Sequence, residues 1–92
     1  MIKTFADQDT ESLFNGSRVR RFIHIEAVAR RKLIQLHAAA TLSFLNAPPG
    51  NRLETLKGDR QGQHSIRINN QFRLCFIWEN GDAYQVEIVD YH

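Results

Sequence analysis

The sequence holds one cysteine, Cys75, and two prolines, adjacent at Pro48 and Pro49. A single thiol cannot close an internal disulfide. Its place inside an apolar stretch points to a core or half-buried group in a reducing compartment. With no cysteine pair and its four histidines scattered, the chain offers no structural zinc pattern. No apolar run approaches the ~18 residues of a membrane span, and the opening MIKTFADQDT lacks the apolar block of a signal peptide. Repeats, low-complexity tracts and linkers are missing as well. For 92 residues the expectation is one domain, residues 1–92, with one modest core and a cytoplasmic location.

Acids are scarce where bases gather. Residues 1–17 set Lys3 against Asp7, Asp9 and Glu11, a net −2; residues 18–67 carry ten Arg or Lys against three acids, a net +7; residues 68–92 set Arg73 against four acids, a net −3. A middle this basic suggests an anionic partner, and nucleic acid is the usual one. A solvated helix face is the plain alternative.

What is present divides into a helical half and a β half. MIKTF reads as a short edge strand. DQDTESLFNG follows as a short helix, capped by Asp7 or Asp9 and ended by Gly16. In the next segment Phe22, Ile25, Ala29, Leu33, Leu36 and Ala40 recur at helical spacing and form one apolar stripe. That helix starts somewhere between Val19 and Glu26. TLSFLN adds a short helix or turn before the two prolines break the pattern. The period then becomes two: HSIRI, FRLCFIW and AYQVEIVDY read as strands, with Ile66 and Ile68, then Phe72, Leu74, Phe76 and Trp78, then Tyr84, Val86 and Ile88 on one face. The implied fold class is α+β, an N-terminal strand and helices packed on one face of a small, mainly antiparallel sheet.

Register adds more than propensity. Ile66 and Ile68 share a face with Phe72 and Leu74 only if the intervening loop is odd-numbered, most simply NNQ. Arg67 then opposes Arg73 on the side away from the core. Two opposed guanidiniums cost stability unless they splay, find acids, or share an anion. For the second hairpin, a two-residue Asn80-Gly81 turn mixes faces, whereas a three-residue loop opposes Trp78 to Tyr84 and Phe76 to Val86. The three-residue loop is therefore expected. It returns Asp90, Tyr91 and His92 to the neighbourhood of Phe72 and Arg73.

Arg67, Arg73, Asp90, Tyr91 and His92 would thus gather at one end of the sheet, with Lys57, Arg60 and His64 leading into its first strand. Cations, an imidazole and a carboxylate without an acidic cluster do not make a divalent-metal site. They suit metal-free RNA cleavage with no cofactor. A base takes the proton of the attacking 2′-hydroxyl, an acid protonates the leaving 5′-oxygen, and Arg and Lys offset charge on the phosphate. Histidine, with an unperturbed pKa of about 6.5, is the natural proton shuttle. Tyr91 would stack on a base or cap the core.

Residues 48–92, PPGNRLETLKGDRQGQHSIRINNQFRLCFIWENGDAYQVEIVDYH, resemble the HigB family of bacterial toxins. That family lies within the RelE-like group of type II toxin–antitoxin modules, also called plasmid maintenance killer proteins. The LKGDRQGQHSIR block with the terminal VDYH carries the resemblance; ARRKLIQLHAA extends it more loosely over the first half. It implies a RelE-like fold and a ribosome-dependent mRNA endoribonuclease. It also implies a HigA-like helix-turn-helix antitoxin, through which alone operator DNA would be bound. Family roles fall on Lys57 and Arg73 as phosphate stabilisers, on Asp90 and His92 as the proton-transfer end, and on Tyr91 as substrate holder. Glu54, Arg60, His64 and Arg67 are the expected RNA-binding residues, His64 and Arg67 from register and proximity alone. Glu54 occupies a position where some members carry a catalytic histidine, so slower cutting is expected and Glu54, Asp90 and His92 all stand as candidate bases. The competing readings are a non-catalytic RNA- or ribosome-binding module and a pure protein-interaction domain.

Overall fold

Asp7 starts the first helix by accepting the Thr10 N–H at 3.2 Å, and α1 runs Gln8–Phe14 until Gly16 turns the chain at φ +97°. A computed structural model describes residues 1–90; the expectations for Tyr91 and His92 lie outside the described residues. A 3₁₀ turn, Arg20–Phe22, leads to α2, Glu26–Ala38, so the long helix begins at the late end of the interval left open. Its stripe is buried as expected at Phe22, Ile25, Ala29, Leu33 and Leu36, but the last member is Ala39 rather than the exposed Ala40. The chain turns extended at Ala39, ψ 126°, and the helical phase ends there. Two further 3₁₀ turns, Leu42–Asn46 and Pro49–Asn51, carry the chain to the sheet.

The sheet is an antiparallel meander of β1 (Glu54–Thr55), β2 (Gln63–Arg67), β3 (Phe72–Glu79) and β4 (Asp82–Asp90), in that order. The residue pair β1 is too short to have shown a period. Between β2 and β3 the Asn69 side chain accepts the N–H groups of Gln71 and Phe72 at 2.8 and 2.7 Å, which fixes the three-residue loop. Ile66 accordingly pairs with Leu74 and Arg67 with Arg73.

The second hairpin corrects the expectation. Glu79 pairs with Asp82 across a two-residue Asn80-Gly81 turn, both of positive φ, and Trp78 faces Ala83 rather than Tyr84. A β-bulge then restores the alternation: Gln85 sits at φ +54° and the register shifts between Cys75 and Ile77. Beyond the bulge Leu74 meets Ile88, Arg73 meets Val89 and Phe72 meets Asp90. The core set of β4 is therefore Ala83, Val86 and Ile88, with Tyr84 on the opposite face.

The N-terminal segment runs parallel to β4 as two isolated bridges, Ile2 with Ala83 and Phe5 with Val86. The bulged Gln85 lies between them, its N–H bonded to the Thr4 hydroxyl at 2.8 Å, which interrupts a continuous ladder. Both helices pack on one face of the sheet, where α2 and α1 side chains join Ile66, Leu74, Phe76 and Val86 in the core. Thr10 fastens α1 by accepting the Ile88 N–H at 3.1 Å. No helix among the described residues is long and apolar enough to cross a membrane.

Candidate active site

The opposite face of the sheet carries the polar residues in rows set by register. Arg67, Arg73 and Val89 form one row; Glu54, Ser65, Cys75 and Glu87 form the next. Arg73 is only 8% exposed, so its charge requires partners. Its Nε donates to the Ser65 hydroxyl at 2.8 Å and its Nη2 to the Arg52 carbonyl at 2.6 Å, with Glu54 Oε1 at 3.6 Å. The carbonyl faces inward because Arg52 adopts a left-handed conformation, φ +45°, after the Pro49–Asn51 turn. Arg67 donates to the Asn70 side chain.

Arg52, Glu54, Arg67, Asn69, Asn70 and Arg73 line a cleft of about 270 Å³. Three guanidinium-bearing residues and two amides against one carboxylate favour an anion with several acceptor oxygens, and a phosphodiester has that chemistry. Lys32, bonded to Asn51, has its pKa lowered by burial and by the charges of Arg31 and Arg67. The positive field thus extends from the cleft towards α2.

The other expected residues fall at varying distance from this cleft. Asp90 ends β4 opposite Phe72, one position beyond the partner of Arg73, and accepts from Gln71 Nε2 at 3.1 Å. It shares the strand end but does not line the cleft. Lys57 is exposed at the start of the Gly58–Arg60 turn, also outside the lining. Arg60 lies further along the same face, paired with Glu87 at 3.1 Å and bonded to Gln63 at 3.1 Å. Beneath them Cys75 is buried, which pushes its thiol pKa up, and Arg60, Glu87 and Arg73 surround it. His64 stands apart from the arginine row. Strand alternation turns it to the helix-covered side, with its ring 6.0 Å from Phe76 and its Nδ1 3.2 Å from the Thr55 hydroxyl. Burial lowers its pKa and so favours the neutral imidazole.

Arg52, Ser65, Asn69 and Asn70 were not singled out by sequence. The two asparagines were legible as loop formers, and Ser65 sits one row from Arg73 in the expected register. Nothing in the sequence announced that the Arg52 carbonyl would face inward.

Residues 3–92 match a family of HigB-like toxins, described as the RelE-like toxin of the type II toxin–antitoxin system HigB. The chain is 46% identical over 94 residues to Endoribonuclease HigB of Proteus vulgaris, covering 100% of both chains. It is 42% identical over 85 residues to Toxin HigB-1 of Vibrio cholerae, covering 90% of each. Among solved structures, YoeB in a YoeB–YefM complex from Staphylococcus aureus superimposes with a TM-score of 0.59 at 22% identity, covering 100% of this chain and 95% of that one. That likeness shows the shared RelE-like fold. Family, relatives and fold agree, and the chain belongs to the HigB family of RelE-like toxins of type II toxin–antitoxin systems.

Proposed function

We propose that this toxin is a ribosome-dependent endoribonuclease that cuts translated mRNA in the cytoplasm by metal-free general acid–base chemistry. The observation that carries this reading is the Arg67–Arg73 pair, opposed across the ladder within a cleft rich in hydrogen-bond donors. Opposed guanidiniums are unfavourable alone and favourable around a phosphate. The name of the Proteus vulgaris relative, Endoribonuclease HigB, supports the same chemistry. The cleft's amides and guanidiniums are donors to an anion, whereas a divalent cation needs several oxygen ligands.

In the proposed reaction the 2′-oxygen attacks the adjacent phosphorus as the bond to the 5′-oxygen breaks, leaving a 2′,3′-cyclic phosphate. The base takes the 2′-hydroxyl proton, and an acid returns one to the departing 5′-oxygen. Arg73 stabilises the charge on the non-bridging oxygens, with Arg67 and Lys57 assisting; Tyr91 holds the substrate. Asp90 and His92 move protons, and Glu54 stands with them as a candidate base because it faces the cleft beside Arg73. Arg60 extends the RNA-binding face. A HigA-like helix-turn-helix antitoxin neutralises the toxin and carries any contact with operator DNA. The YoeB–YefM complexes, toxin–antitoxin pairs on the same fold, support a protein partner of this kind.

The test is a reconstituted translation reaction with mRNA ends mapped by primer extension, using a message carrying 2′-deoxy sugar at the scissile nucleotide beside the all-ribose message. Cutting of the ribose message only, and only with ribosomes present, is expected. Equal cutting of the deoxy message, or of naked RNA, would sink the proposal.

A further inference from the structure

Helix α2 carries a second apolar line. Ala29, Leu33 and Leu36 face the core, yet Ala27, Ile34 and Ala38 recur on the outer side at helical spacing. With Phe44 from the Leu42–Asn46 turn, and with Arg30, Arg31 and Gln35, they line an open groove of about 420 Å³. Ile34 is 57% exposed and Phe44 51%. Two large apolar side chains converging in one groove, on a chain otherwise rich in charge, mark an interaction surface rather than scattered exposure.

The chemistry of the groove selects its occupant. Arg30 is already held by the Leu13 and Ser17 carbonyls at 3.0 and 3.1 Å and by Glu26 at 3.9 Å. The Arg31 side chain is exposed in this lining and makes no hydrogen bond or ion pair with the described residues. RNA would find few donors on an apolar floor. A second copy in a two-fold contact would set like arginines against one another. An amphipathic helix with acidic flanks meets both demands, its apolar face covering Ile34 and Phe44 and a carboxylate meeting Arg31. We propose that the groove between α2 and Phe44 docks an acidic, amphipathic helix of the protein that neutralises this toxin. The proposal rests on the antitoxin reading above, and it concerns a surface sharing no residue with the phosphate cleft.

Isothermal titration of the full chain with a purified HigA-like antitoxin tests it, with wild type beside Ile34→Asp, Phe44→Ser and Arg31→Glu. Thermal midpoints, oligomeric state and binding of a labelled single-stranded RNA are measured in parallel. Ile34→Asp should weaken antitoxin binding by about 30-fold or more, the scale of an anchor residue. Arg31→Glu, a surface change that leaves folding intact, should weaken it by about 10-fold. The Ile34 and Phe44 variants should keep the wild-type midpoint and RNA binding. Tight binding of the antitoxin by wild type and all three variants alike would overturn the groove and leave the antitoxin reading standing. No binding by wild type would overturn both. Loss of RNA binding in Ile34→Asp at an unchanged midpoint, or a wild-type dimer that this variant dissolves, would assign the face to RNA or to a second copy and overturn the proposal.

Discussion

Arg73 reaches its place through three oxygen-bearing neighbours drawn from different segments: the Ser65 hydroxyl, the Arg52 carbonyl and the Glu54 carboxylate. Register made the Arg67–Arg73 pairing legible because it follows from loop length and face alone. Proximity along the chain was a poorer guide. His64 precedes Arg67 on the same strand, yet the alternation of β2 turns its ring towards Phe76. The lowered pKa of His64 has a consequence for stability. The folded state resists protonating the ring, so the unfolded chain binds more protons below about pH 6.5, and stability falls as pH drops from there through the lowered folded-state value. Urea unfolding between pH 7 and pH 5 should therefore show a shallower acid loss in His64→Gln than in wild type; equal slopes would contradict it. Glu54 offers a second test at this scale, because it lines the cleft at a position where the resemblance to HigB toxins implies histidine in some members. Glu54→His should raise the cutting rate on programmed ribosomes by about 10-fold, the lower part of the range for a positioned general base. No gain would contradict the expectation that glutamate at this position slows cutting.

At the scale of elements, hydropathy of period two identified β2, β3 and β4, and the apolar stripe identified α2. Two features escaped for physical reasons. Glu54–Thr55 is too short for any period to appear. The bulge at Gln85 is invisible to strict alternation across the second hairpin, because a single left-handed residue is enough to reverse the phase. The same strict alternation disfavours the Asn80-Gly81 turn, which the chain uses because the bulge restores the faces. Gln85 holds φ +54° without the freedom of glycine. Gln85→Gly should change stability little, within about 1 kcal/mol, as relief of strain offsets added chain entropy. Gln85→Val should cost about 1–2 kcal/mol because a β-branched side chain fits this region poorly. Chemical denaturation midpoints measure both; a Val variant as stable as wild type would argue against the bulge.

The whole molecule separates its charges by face and end. Residues 18–67 hold a net +7, and Arg52, Arg67 and Arg73 from the basic middle and β3 converge on one cleft. Composition suggested an anionic partner; only the fold brought Arg52 and the Asn69–Asn70 loop into the same cavity. If that cavity binds the RNA backbone, affinity should fall with salt, and Arg67→Ala should flatten the logarithmic salt slope by about 0.7, one single-strand phosphate contact. An unchanged slope in filter binding would place Arg67 off the RNA path.

The most direct measurement is the single-turnover cutting rate of Arg73→Lys on mRNA-programmed ribosomes, with ribosome occupancy measured alongside. Lysine keeps the positive charge and loses the planar fork that Ser65, the Arg52 carbonyl and Glu54 hold in place. A rate about 100-fold or more below wild type at equal occupancy is expected, the scale of losing one oriented donor to a developing anion. Cutting within about twofold of wild type, less than 1 kcal/mol of barrier, would contradict the assignment of this cleft as the site of phosphate stabilisation.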